Sequence, residues 1–94
     1  MPQTEIAYQL LKYLLGNYPE NICDRYNFKK DEIEEILSQD NEENINIYEI
    51  MLKIGKKRGA VISGGNIDDE KTAKIILDDF RTGKLGNITL EKVQ

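Results

Sequence analysis

The sequence predicts an all-α fold, a compact bundle of about five short helices with an extended C-terminal tail, forming one domain over residues 1–94. Three observations predict it. Apolar residues recur at three- and four-residue spacing in five separate stretches. Glycine, proline or an acidic capping residue stands at the ends of those stretches. Strict alternation is confined to Ile88 and Leu90 among Asn87, Thr89 and Glu91, which suits a tail and is too short for a sheet.

The first helix is expected over residues 4–15. Ile6, Leu10 and Leu14 recur every four residues with Ala7 and Leu11 beside them, Thr4 is placed to cap the start, and Gly16 to end it. Pro19 suits the first position of a short second helix carrying Ile22 and Tyr26. Asp31 and Glu34 have the spacing of a capping box for a third helix with Ile33, Ile36 and Leu37 on its apolar side. The stretch 40–44 offers nothing to bury and reads as a loop. Asn46 and Glu49 repeat the capping spacing before a fourth helix whose stripe is Ile47, Ile50, Met51 and Ile54, with Gly59 as its stop. Gly55 inside that helix costs about 1 kcal/mol relative to alanine, so either another backbone passes close or the cost is tolerated. The fifth helix is capped by Asp68 and ended by Gly83, and it carries Ala73, Ile76, Leu77 and Phe80 inward. The core is expected to centre on Leu10, Leu14, Ile50, Ile54, Ile76, Leu77 and Phe80.

Composition excludes several chemistries. The 94 residues include no histidine and one cysteine, Cys23, so the usual zinc sites, an internal disulfide and histidine-activated nucleophiles are all ruled out. No apolar run approaches the ~18 residues of a membrane span, and no secretory leader pattern is visible, which makes the cytoplasm the expected location. The net charge of −4 is unevenly spread. Residues 1–50 hold four bases against eleven acids, a net of −7, and residues 51–94 hold nine against six, a net of +3. A polyanion would therefore dock on the second half.

Within that half, Lys53, Lys56 and Lys57 share one side of the fourth helix, and Arg58 adds a guanidinium fork suited to phosphate. The same bases would equally complement the dipole at a helix end. Arg81 and Lys84 form a second basic corner where Gly83 lets the chain turn, with the same two readings. Ser63-Gly64-Gly65-Asn66 precedes a helix start, where free amides favour anions, but Asp68, Asp69 and Glu70 would repel a phosphate and a turn between helices is the simpler reading. Asp78-Asp79 and Glu42-Glu43 are adjacent carboxylates pointing to different sides, without a nucleophile, and are not read as catalytic. The five tyrosines are read as core or partly buried, with their hydroxyls in solvent.

The succession Lys57-Arg58-Gly59, Gly64-Gly65, Asp68 and Asp79-Phe80-Arg81-Thr82-Gly83-Lys84-Leu85-Gly86 resembles the C-terminal domain of the ribosome biogenesis GTPase A family, the YlqF-type circularly permuted GTPases. A weaker likeness extends back through Tyr18-Pro19-Glu20 to Ala7-Tyr8-Gln9-Leu10-Leu11. The resemblance implies a module of a GTPase that acts late in assembly of the large ribosomal subunit, with large-subunit ribosomal RNA and the pre-ribosomal particle as partners. It favours the RNA-facing reading of Lys53, Lys56, Lys57, Arg58, Arg81 and Lys84. Asn87 stands where members usually carry a base, and Lys71 where arginine is common. The chain has no Walker A loop and no guanine-reading Asn-Lys-X-Asp. It is thus expected to need no cofactor and neither to bind nor to hydrolyse GTP; GTP and magnesium would belong to the full-length protein, of which this chain would be a fragment. The alternative is a protein–protein docking domain for a ribosomal protein or for its own GTPase domain, using an apolar groove with an acidic rim.

Overall fold

The computed structural model describes residues 2–88, and among them five α-helices carry the fold: α1 (Gln3–Asn17), α2 (Pro19–Tyr26), α3 (Lys30–Leu37), α4 (Glu43–Lys57) and α5 (Asp69–Arg81). A single 3₁₀ turn, Ser63–Gly65, lies between α4 and α5, and one isolated antiparallel bridge joins Val61 to Ile67. The all-α reading holds. Ile88 packs against the core half-buried, whereas Leu90 and the rest of the expected tail lie outside the described residues.

Packing follows from which face each helix makes apolar. α1 lies along α5 and also touches α4 and α2, while α3 bridges α2 and α4. Ala7, Leu10, Leu11, Leu14 and Leu15 are α1's buried face, and Ile6 is left 42% exposed, so the stripe is turned from the expected one. Ile47, Ile50, Met51 and Ile54 of α4 and Ala73, Ile76 and Leu77 of α5 close on it. On α3 only Ile33 and Ile36 are buried, and Leu37 faces out.

Several helix ends differ from expectation for identifiable reasons. α1 starts on Pro2, whose carbonyl accepts from the Glu5 and Ile6 amides, and not on a Thr4 side chain. It passes through Gly16 and stops because Pro19 excludes helical backbone at the preceding residue, where Tyr18 sits at φ −139°, ψ 53°. α3 begins two residues early: its N-cap is Lys29 and not Asp31, and the Glu32 carboxylate, not that of Glu34, accepts from the N-cap backbone at 3.4 Å. Asn46 is not a cap. It is buried inside α4 and donates to the carbonyl of Gln39 at 3.2 Å, fastening the α3–α4 turn.

α4 and α5 end alike. The amide of Ala60 bonds to the Gly55 carbonyl (2.8 Å) and that of Gly59 to Lys56 (3.2 Å), with Gly59 at φ 74°. Lys84 and Gly83 repeat the pattern on Asp79 and Phe80, with Gly83 at φ 79°. Both are Schellman closures, which need a left-handed residue that glycine supplies without steric penalty. The Asp68 cap of α5 is present, its side chain accepting from Lys71 at 3.0 Å. Gly55 meets side chains and not another backbone: a Cβ there would fall 2.3 Å from Thr72 Oγ1 and 2.7 Å from Ile67 Cγ2.

The core differs from expectation at one place on α5. Asp79 is buried at 6% exposure and Phe80 is only half-buried. Continuing the register of Thr72 and Ile76 by three residues leads to 79, so the helix points its carboxylate inward and rolls Phe80 to the margin.

Candidate nucleic-acid interface

Asp79 is tolerated in the interior because α2 delivers its partners. The Arg25 guanidinium donates through Nε to one carboxylate oxygen and through Nη2 to the other, both at 3.1 Å, and the Tyr26 hydroxyl donates at 2.8 Å. Burial first, and then this hydrogen bond, push the Tyr26 hydroxyl well above the usual tyrosine range. That hydroxyl does not reach solvent as expected; the buried carboxylate takes it. Among the described residues every buried side-chain polar atom is hydrogen-bonded.

The end of α4 folds over this same point. Arg58 Nη2 donates to the Arg25 carbonyl at 2.6 Å, and its guanidinium stands 5.1 Å from the centre of the Tyr26 ring. Lys57 donates to the Asn27 carbonyl at 3.3 Å and lies 4.7 Å over the Phe28 ring. These two bases therefore close the C-terminus of α2, where Asn27 adopts the left-handed conformation at φ 61°. Carbonyls and rings leave the full positive charge in place, and both residues remain exposed.

Two hollows flank Arg25. One, of about 320 Å³, is lined by Arg25, Tyr26, Asn27, Lys57 and Arg58. The other, of about 400 Å³, is lined by Asn21, Asp24, Arg25, Lys84, Leu85 and Gly86. The second is fixed by the turn after α5: Asn21 Nδ2 donates to the Leu85 carbonyl at 2.7 Å, Leu85 is buried, and Gly86 at φ 91° lies so close to Asn21 that a Cβ would meet its amide at 2.6 Å. Arg25 borders both, so Lys57 and Arg58 line one hollow and Lys84 lines its neighbour on the other side of Arg25. Asp24 on its edge offsets part of their charge.

The other predicted bases stand differently. Lys53 is half-buried one turn before Lys57, and exposed Lys56 precedes it on α4; neither forms an ion pair with a described residue. Arg81 turns back on its own helix and pairs with Asp78, which also takes Lys74 at 3.3 Å. Arg81 first, and then Lys74, hold the Asp78 carboxyl below its usual range. The sequence reading grouped Arg81 with Lys84, but only Lys84 lines the hollow. It missed Arg25, which sits in the acidic half. The available signal was Asp79, an acid at a buried register of α5 that demands a cationic partner.

The chain is 37% identical over 87 residues to ribosome biogenesis GTPase A of Bacillus cereus, a match spanning 93% of this chain and 25% of that protein. It is 38% identical over 88 residues to the protein of that name from Bacillus licheniformis, covering 94% and 27%, and 34% identical over 87 residues to that of Priestia megaterium, covering 93% and 26%. The chain is homologous to a segment of ribosome biogenesis GTPase A. It spans about a quarter of the length of these relatives. No protein-family model matches it. Among the described residues no helix is long and apolar enough to cross a membrane, and no three metal-binding side chains converge.

Proposed function

We propose that this chain is a non-catalytic RNA-binding module of a ribosome-assembly GTPase, contacting large-subunit ribosomal RNA with the face that Arg25 organises. The observation that carries the reading is that the two hollows adjoin at Arg25: bases from the end of α4 line one and a base from the turn after α5 lines the other, although they are far apart in sequence. Lys57 and Arg58 are held by neutral carbonyls and aromatic rings, which fix their positions and leave their charge available to phosphate. Lys53 and Lys56 extend the basic edge along α4, and Arg81 is a weaker contributor because Asp78 already engages it. The relatives' name supports a place in ribosome biogenesis. GTP and magnesium would be held elsewhere in a full-length protein working in the cytoplasm, since this chain lacks the nucleotide motifs.

The test is titration of the chain with large-subunit rRNA at two salt concentrations. Each neutralised phosphate is expected to contribute about 0.7–0.9 to the slope of log affinity against log salt, the smaller value applying to single strands. An affinity flat with salt would overturn the proposal, as would GTP turnover by this chain alone.

A further inference from the structure

Between α1, α4 and the start of α5 lies another concave surface. A hollow of about 200 Å³ involving Glu5, Tyr8, Tyr48, Met51 and Asp69 adjoins one of about 340 Å³ that shares Glu5, Tyr8 and Tyr48. Its walls include the two tyrosine rings, and Tyr48 is 41% exposed on the helix whose Ile47, Ile50, Met51 and Ile54 turn inward. Exposed Ile45 lies three residues before Tyr48 on α4, outside the lining of either hollow.

The electrostatics of this groove are unbalanced. Glu5 has a neutral partner, the Gln9 amide at 2.9 Å, and Asp69 has another, the Tyr48 hydroxyl at 2.7 Å. That hydrogen bond first, and partial burial second, push the Tyr48 hydroxyl up to about 12. The nearby cation, Lys12, is drawn off to Glu43 at 3.2 Å. Two carboxylates therefore border the exposed Tyr48 ring and the half-buried Tyr8 ring, with no cation of the described residues paired to either carboxylate.

We propose that this groove seats an arginine-bearing segment of a basic protein, with the guanidinium against Tyr8 and Tyr48 and within reach of Glu5 and Asp69. A planar guanidinium satisfies both features at once, stacking on rings and forking to a carboxylate, which an ammonium does less well. Phosphate is disfavoured by the same carboxylates. A second copy is disfavoured because the chain's own arginines are engaged at home: Arg25 by Asp79, Arg58 by the Arg25 carbonyl, and Arg81 by Asp78. The site is separate from the basic face and stands whether or not RNA binds there.

The test is an NMR and calorimetric titration of the chain with a short peptide carrying one arginine flanked by leucine and glycine, and with the same peptide carrying citrulline, which keeps the shape and loses the charge. The arginine peptide is expected to move the signals of Tyr8, Tyr48 and Asp69 saturably. Citrulline, Tyr48→Ala and Glu5→Gln should each weaken it about tenfold, as for a partly desolvated cation–π and ionic contact. Tyr48→Phe keeps the ring and should stay within about twofold, which separates loss of the site from loss of fold. Equal affinity for both peptides, or an equal loss from Glu20→Gln, would reduce the effect to general surface charge and overturn the proposal. So would self-association of the chain that disappears in Tyr48→Ala, which would make a second copy the occupant, or rRNA moving these same signals in place of the peptide.

Discussion

The Arg25 guanidinium holds the Asp79 carboxylate through two hydrogen bonds of 3.1 Å, and the Arg25 carbonyl in turn accepts from Arg58 at 2.6 Å. One residue of α2 thereby ties α5, through its side chain, and the end of α4, through its backbone, to a common point. The basic face exists because those helix ends converge on it.

Asp79→Ala is expected to destabilise the chain by about 3 kcal/mol in urea unfolding, because it leaves the Tyr26 hydroxyl unsatisfied and the Arg25 charge unpaired. Arg25 is partly exposed, so water recovers some of its loss and the cost stays at the low end for a broken buried pair. A loss under about 1 kcal/mol would mean that the triad does not anchor α2 to α5.

Gly55→Ala should destabilise despite the better helix propensity of alanine. The gain is about 1 kcal/mol, whereas forcing a methyl to within 2.3 Å of Thr72 Oγ1 brings an overpacking cost of about 1–3 kcal/mol. Adding Thr72→Ala removes the nearer of the two obstructing atoms and leaves Ile67 Cγ2, and thermal unfolding of the double variant should then be more favourable than the sum of the two single changes.

Truncation of α5 should sort by burial. Ile76→Ala, at a fully buried position, is expected to cost about 2–5 kcal/mol. Phe80→Ala should cost less than the roughly 3–5 kcal/mol of a core phenylalanine, since its ring is at the margin. Equal losses by chemical denaturation would place Phe80 in the core after all.

Alkaline pH should weaken the fold through Tyr26. Its hydroxyl titrates higher folded than unfolded, so the folded chain keeps a proton that the unfolded chain gives up. The contribution is complete below pH about 10 and declines as pH rises from there toward the folded value, by at most about 1.4 kcal/mol per unit. Urea unfolding from pH 9 upward should show this fall, and Tyr26→Phe should remove that part of it.

For the basic face, Lys56→Glu with Lys57→Glu should weaken rRNA binding strongly, and Lys84→Glu should lower the salt slope by roughly 0.7–0.9. Lys29→Glu with Lys30→Glu is the control, since these residues lie in the acidic half and do not line the hollows. Helical circular dichroism distinguishes loss of contact from loss of fold, because Lys57 also closes α2. Equal binding by both double variants would leave the basic cluster as a solvated helix end.

Local chemistry was readable without coordinates. Apolar spacing located all five helices, Pro19 and Asp68 marked two starts, and Gly59 and Gly83 marked two stops, because each acts through backbone geometry within a few residues. That also placed Lys57, Arg58 and Lys84 at helix ends, which is where the two hollows draw their bases. Tertiary structure alone decided that these ends meet. Asp79 and Arg25 are 54 residues apart, and whether an acid at an apolar register is buried or rolled outward depends on what another helix brings to it. The same pairing set the roll of α5, put Asp79 inside in place of Phe80, and turned a residue of the acidic half into the centre of the basic face.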